Sequence, residues 1–85
     1  MAAYKITISR LAQKQLDKLP DILAFRLIEA IYELAINPRP VGYKKLKGRD
    51  GYRIRIGDYR IIYEIFDREL LINVVSLGHR KDIYN

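Results

Sequence analysis

Cysteine is absent from the 85 residues, and histidine occurs once, as His79. Without thiols there is no disulfide framework and no cysteine-based zinc site, and one imidazole without a second such ligand does not make a transition-metal site. The expectation is a chain with no metal and no cofactor. No apolar run approaches the roughly 20 residues that a membrane-spanning helix requires. The N-terminal MAAYKITISR alternates in polarity and lacks the continuous apolar stretch of a signal peptide. These absences point to a cytoplasmic protein with no membrane partner. GxGxxG, Walker-type and GxSxG motifs are also missing, so nucleotide-cofactor chemistry and serine hydrolysis lack their usual signatures.

What is present is an adequate supply of core residues and a localised charge. Hydrophobic residues make up 49% of the chain, enough for one domain spanning residues 1–85. The net charge is +6, and the segments 1–38 and 61–85 are each close to balanced. Residues 39–60 hold the excess: Arg39, Lys44, Lys45, Lys47, Arg49, Arg53, Arg55 and Arg60 against Asp50 and Asp58. A concentrated patch of this kind fits a polyanionic partner, with a merely solubilising surface as the competing explanation.

The order of elements reads as α+β. Residues 3–8 alternate as a strand, with Tyr4, Ile6 and Ile8 on one face. Ser9 stands at the N-cap of a short helix, RLAQKQLDKL, with Leu11, Leu16 and Leu19 as its apolar contacts. A second helix starts at Pro20 and runs to about Ile36 on the spacing of Leu27, Ile28, Ile31, Leu34 and Ala35, and NPRP stops it. An irregular basic connection, VGYKKLKGRDG, leads to three strands over 52–56, 59–66 and 70–77, with Gly78 ending the last. The expected architecture is an N-terminal strand, a two-helix hairpin and a three-stranded antiparallel meander.

The stretch GYRIRIGDYR defines a register. With Gly57-Asp58 as a two-residue turn, Arg55 faces Arg60, Ile54 faces Ile61, Arg53 faces Ile62 and Tyr52 faces Tyr63. Alternation then puts Tyr52, Ile54, Ile56, Tyr59, Ile61 and Tyr63 on one face and the three arginines on the other. Like charges opposite each other cost up to ~1 kcal/mol per pair. Arginine stems can snorkel over a sheet, but three converging guanidiniums are better explained by an anion that they hold, since the planar guanidinium fork matches phosphate. Tyr43 and Tyr84 fall in irregular basic segments where a ring can stack on a base.

From the first strand through YRIRIGDYRIIYE to the ending SLGHRKDIY, the chain resembles the RelE toxins of the RelE/ParE toxin–antitoxin superfamily over essentially its whole length. The resemblance implies a fold like that of microbial ribonucleases. It implies a metal-independent endoribonuclease that cleaves mRNA in the ribosomal A site by 2′-OH attack on the adjacent phosphate, inhibiting translation. Position by position it implies catalytic roles for Arg53, Arg55, Arg60, Arg80 and Tyr84. The basic residues Lys44, Lys45, Lys47, Arg49 and Lys81 are expected to contact mRNA or ribosomal RNA. The implied partners are an acidic RelB-like antitoxin and the ribosome with mRNA in its A site. The best-known RelE-type sites carry lysine on this strand, whereas this chain has arginine at both Arg53 and Arg55. Arginine is effectively always protonated and makes a poor general base. The acid–base role is left to His79, to Tyr84 or to a ribosomal group. Two other readings are a ParE-type toxin that binds gyrase and a non-catalytic basic domain that binds RNA or its antitoxin.

Overall fold

The computed structural model describes residues 3–79 and 81. Strand β1 (Lys5–Ile8) turns Ile6 and Ile8 toward the core. Ser9 ends it and caps helix α1 (Arg10–Asp17): its Oγ accepts from the Ala12 amide at 3.0 Å and donates to the Val75 carbonyl at 2.6 Å. One hydroxyl therefore satisfies an orphan helix donor and ties the helix start to the last strand. Ala12 and Leu16, one turn apart, are the buried contacts of α1. Leu11 was expected there but is 54% exposed, because it lies one residue off the Ala12–Leu16 line.

Helix α2 (Asp21–Ile36) begins after Pro20, which occupies the cap position and not the first turn, with Asp21 at the positive end of the helix. Leu27, Ile31, Leu34 and Ala35 recur at helical spacing and are buried. The helix stops where Asn37 becomes extended, at φ −139°, ahead of Pro38 and Pro40.

The sheet has five strands in the order β1-β5-β4-β3-β2, built from β2 (Lys44–Lys45), β3 (Tyr52–Ile56), β4 (Tyr59–Phe66) and β5 (Leu71–His79) as well as β1. The meander β3-β4-β5 is antiparallel, and the hairpin register is the one read from GYRIRIGDYR, with Arg55 opposite Arg60 and Tyr52 opposite Tyr63. Gly57 sits at φ +59°, as the first central position of that turn requires.

The antiparallel meander is as expected, and β1, whose place the sequence left open, pairs with β5 in parallel, Lys5 with Leu71 and Ile8 with Val74, so the sheet is mixed. Two expectations are corrected. The basic connection is not wholly irregular, because Lys44 and Lys45 add an edge strand to β3. The last strand starts at Leu71 and continues through Gly78 to His79. Leu70 is in the left-handed region at φ +52°, while Gly78 and His79 complete the ladder against Arg60 and Tyr59.

Both helices cover one face of this sheet. Ala12, Leu16, Leu27, Ile31 and Leu34 pack there on Ile54, Ile61, Tyr63, Ile72, Val74 and Leu77. No described helix covers the opposite face.

Candidate functional site

Strand alternation builds the uncovered face from residues that the core does not use. On β3 these are Arg53 and Arg55, and on β4 they are Arg60, Ile62 and Glu64. The register of β5 adds Asn73, Ser76 and Gly78, and β1 adds Thr7 beside Asn73. A bulge between the Ile62–Ser76 and Tyr63–Val74 pairs keeps both ends of β5 in phase with the core. Lys44 lies directly across from Arg53 and shares the arginine face, whereas Lys45 shares the face of Tyr52 and sets its ammonium 5.6 Å from that ring. The two lysines, equivalent in sequence, are separated by the edge strand.

The arginines differ from one another. Burial comes first, and Arg60 and then Arg55 follow, in depressing the pKa of Arg53. The charge felt most strongly by Arg53 is therefore the diagonal Arg60. Arg55 is exposed, and its Nε donates to the Gly57 carbonyl at 3.3 Å, which draws it toward the turn. Ile62 is only 2% exposed although it stands outside the helix-side core, with Arg53 opposite it and Arg60 two residues away. Gly78 stands opposite Arg60 in the ladder.

The edge that carries Lys44 is anchored from behind. Tyr63 donates its hydroxyl to the Pro38 carbonyl at 2.7 Å. Arg39 pairs with Asp67 at 3.0 Å, and Tyr4 donates to the same carboxylate at 2.7 Å. Arg39, followed by Tyr4, holds the Asp67 carboxyl below its ordinary range. The linker between α2 and β2 is thereby fixed to the β4–β5 turn. Gly51, at φ +131°, lies against the buried Leu46, and a Cβ there would meet the Leu46 Cδ1 at 3.1 Å.

His79 does not join the arginines. Its backbone pairs with Tyr59, its ring meets the Tyr59 ring edge-on at 5.5 Å, and it lines a small cleft with Gln15, Lys18 and Leu19 on the helix side. Its Nδ1 accepts from the Lys81 amide at 3.2 Å. Lys47, Arg49 and Lys81 are exposed in turns. Tyr43 is partly exposed, with its ring 5.9 Å from that of Tyr52. Arg80 and Tyr84 lie outside the described residues. Glu64 was missed from the sequence, although continuing the alternation Arg60, Ile62, Glu64 along β4 places it on the same face.

Lys44, Arg53, Arg55 and Arg60, on a face that no described helix covers, are cations of the kind that can hold the oxygens of a phosphodiester. A cleft of about 530 Å³ lies round the sheet edge between α2 and β3, with Arg55 at its rim.

Residues 6–84 match the family described as the ParE toxin of the type II toxin–antitoxin system parDE. Toxin RelG of Mycobacterium tuberculosis is 30% identical over 83 residues, covering 95% of each chain. The mRNA interferase toxin RelE of Escherichia coli K12 is 29% identical over 82 residues, covering 93% of this chain and 85% of that protein. Among solved structures, the toxin–antitoxin complex RelBE2 of Mycobacterium tuberculosis aligns with a TM-score of 0.84 at 25% identity, covering 94% of each chain. The chain belongs to the RelE/ParE superfamily and is a RelE-type toxin of a type II toxin–antitoxin system.

Proposed function

We propose that this toxin is a ribosome-dependent endoribonuclease that cuts mRNA in the ribosomal A site by metal-independent attack of a ribose 2′-OH on the adjacent phosphate. The observation that carries this reading is the convergence of Arg53, Arg55 and Arg60, with Lys44 beside them, on a face that no described helix covers. Negative charge grows on the nonbridging phosphate oxygens as the 2′-oxygen attacks, and fixed guanidiniums stabilise that state more than the ground state. Arg53 and Arg60 are the central pair and Arg55 the outer clamp. The name mRNA interferase, carried by the relative from Escherichia coli, agrees with this reading.

An acidic RelB-like antitoxin is the proposed partner, in keeping with the toxin–antitoxin complex among the similar structures and with the +6 charge. Complementary charge would speed their encounter more than it tightens the complex. The match to the ParE family supports a second reading, a gyrase-binding toxin, which leaves the arginine cluster without a substrate.

Translation of a defined mRNA in vitro, with mapping of the new 5′ ends, separates the two. Codon-phased cuts that require ribosomes and leave a 2′,3′-cyclic phosphate are expected. Arg60→Ala should slow them by roughly 10²–10³-fold, the usual effect of losing one charge-stabilising donor. Intact mRNA together with accumulating gyrase–DNA breaks would overturn the ribonuclease reading.

A further inference from the structure

Helix α2 has two apolar faces, and the fold uses one of them. Leu27, Ile31 and Leu34 are buried in the core. Ile22, Phe25, Tyr32 and Ile36 point the other way and are each 62–79% exposed. With Glu29 among them they recur every three or four residues from one end of the helix to the other, the spacing of a helix-pairing seam. Single exposed apolar side chains are ordinary, but four large ones in line form a patch of the kind that marks an interaction surface. The seam lies on the side of α2 away from the sheet, so an occupant leaves the arginine face open.

The polar groups of the seam identify what it fits. Glu29 sits in the middle of the stripe, and Arg26 and Glu33 flank it on one side, two turns apart. Among the described residues none pairs with Arg26, Glu29, Glu33 or the Tyr32 hydroxyl. In one antiparallel register of two α2 helices, Phe25 meets Ile36 of the second copy, Glu29 meets its Tyr32, and Arg26 lies beside its Glu33. Each contact occurs twice, because a two-fold pairing is isologous. The Tyr32 hydroxyl can donate to the Glu29 carboxylate, so the charge within the seam is satisfied. A slip of one heptad sets Glu29 against Phe25 and Arg26 against a second Arg26, leaving the carboxylate without a donor and bringing like charges together. A parallel pairing sets Glu29 against Glu29. The side chains of α2 thus favour one self-pairing.

We infer that the seam of α2 docks a second copy of this chain as an antiparallel helix pair. The pairing is independent of the ribonuclease reading. An acidic antitoxin is the competing occupant. The exposed charges along the seam are Asp21, Glu29 and Glu33 against Arg26, so an acidic chain is drawn to the arginine face instead. In the second copy, by contrast, Glu29 and Glu33 each meet a donor. One helix pair makes a small interface, at or below the roughly 1,200 Å² where stable complexes begin, so the dissociation constant should be on the order of 10 μM.

The test is sedimentation velocity of the purified full chain over a range of concentrations around that value. The wild type should pass from monomer to dimer as concentration rises. Phe25→Glu should stay monomeric and, because Phe25 is exposed, should melt as the wild type does. Glu33→Arg replaces both ion pairs by like charges and should raise the dissociation constant roughly tenfold. The double variant Arg26→Glu, Glu33→Arg restores opposite charges and should return to the wild-type value, which a nonspecific apolar contact would not do. If Glu33→Arg dimerises as tightly as the wild type, or the double variant does not recover, the antiparallel pairing is wrong. A wild type that stays monomeric up to about 1 mM overturns the proposal outright. If Phe25→Glu then also weakens capture of the RelB-like antitoxin, the seam belongs to that partner.

Discussion

Tyr63 places its ring in the helix-side core and donates its hydroxyl to the Pro38 carbonyl, so one residue serves both packing and the anchoring of the basic edge. Burial pushes its phenol up to about 12. A raised folded pKa favours the neutral form, so this part of the stability is complete below the ordinary tyrosine value near 10 and is lost as pH rises toward about 12. Tyr63→Phe should cost about 1 kcal/mol at neutral pH through removal of the hydrogen bond. Because phenylalanine has no proton to lose, the gap from the wild type should narrow between about pH 10 and about pH 12, as read by denaturant unfolding. An unchanged gap would mean that the phenol does not report this burial. Gly51 is constrained in another way, by φ +131° together with the Leu46 side chain. Gly51→Ala should therefore destabilise by about 1–3 kcal/mol in the same assay.

Among the elements, the β3–β4 hairpin was the most legible. Period-two alternation on both sides of Gly57-Asp58 leaves one register that puts the isoleucines inward, and a slip by one residue would bury the arginines. That register places Arg55 opposite Arg60, an arrangement with a local electrostatic cost. Arg55→Thr should raise the denaturation midpoint, by up to ~1 kcal/mol of stability, while lowering the cleavage rate. A variant that cuts at the wild-type rate would remove Arg55 from the site. Other elements were less legible for physical reasons. Strand β2 has two residues, too few for a pattern to show. The parallel pairing of β1 with β5 joins segments more than sixty residues apart, and local periodicity says nothing about it. The end of β5 depends on Tyr59 and Arg60 offering partners to His79 and Gly78, so a glycine that reads as a stop is carried through.

At the scale of the whole molecule, the +6 charge is sorted by the fold. Lys44, Arg53, Arg55 and Arg60 collect on the uncovered face, and Lys47 and Arg49 extend the patch from the exposed turn before β3. Groups at the rim of such a patch act on encounter more than on chemistry. The double variant Lys47→Ala, Arg49→Ala should bind programmed ribosomes more slowly and with a shallower salt dependence. The log–log slope should fall by about 0.7 for each single-strand phosphate that the variant no longer neutralises. Its single-turnover rate at saturation should stay close to that of the wild type. A lower saturated rate with an unchanged salt slope would move these residues into the catalytic site.

The sequence by itself determined the α+β class, the two helices, the hairpin register and the arginine cluster, because each follows from local periodicity and one turn. Only the tertiary structure decided which other groups share the arginine face. Cross-strand pairing brought Lys44 to Arg53, sent Lys45 toward Tyr52 and placed His79 against Tyr59. The same pairing aligned Thr7, Asn73 and Glu64 in one row. Those neighbours come from strands far apart in the chain, and their meeting is set by long-range register and by the bulge in β5, which no local pattern encodes. The arginines of GYRIRIGDYR were legible as a converging cluster of like charge, and the Glu64–Asn73–Thr7 row on the same face became visible only when the sheet was assembled.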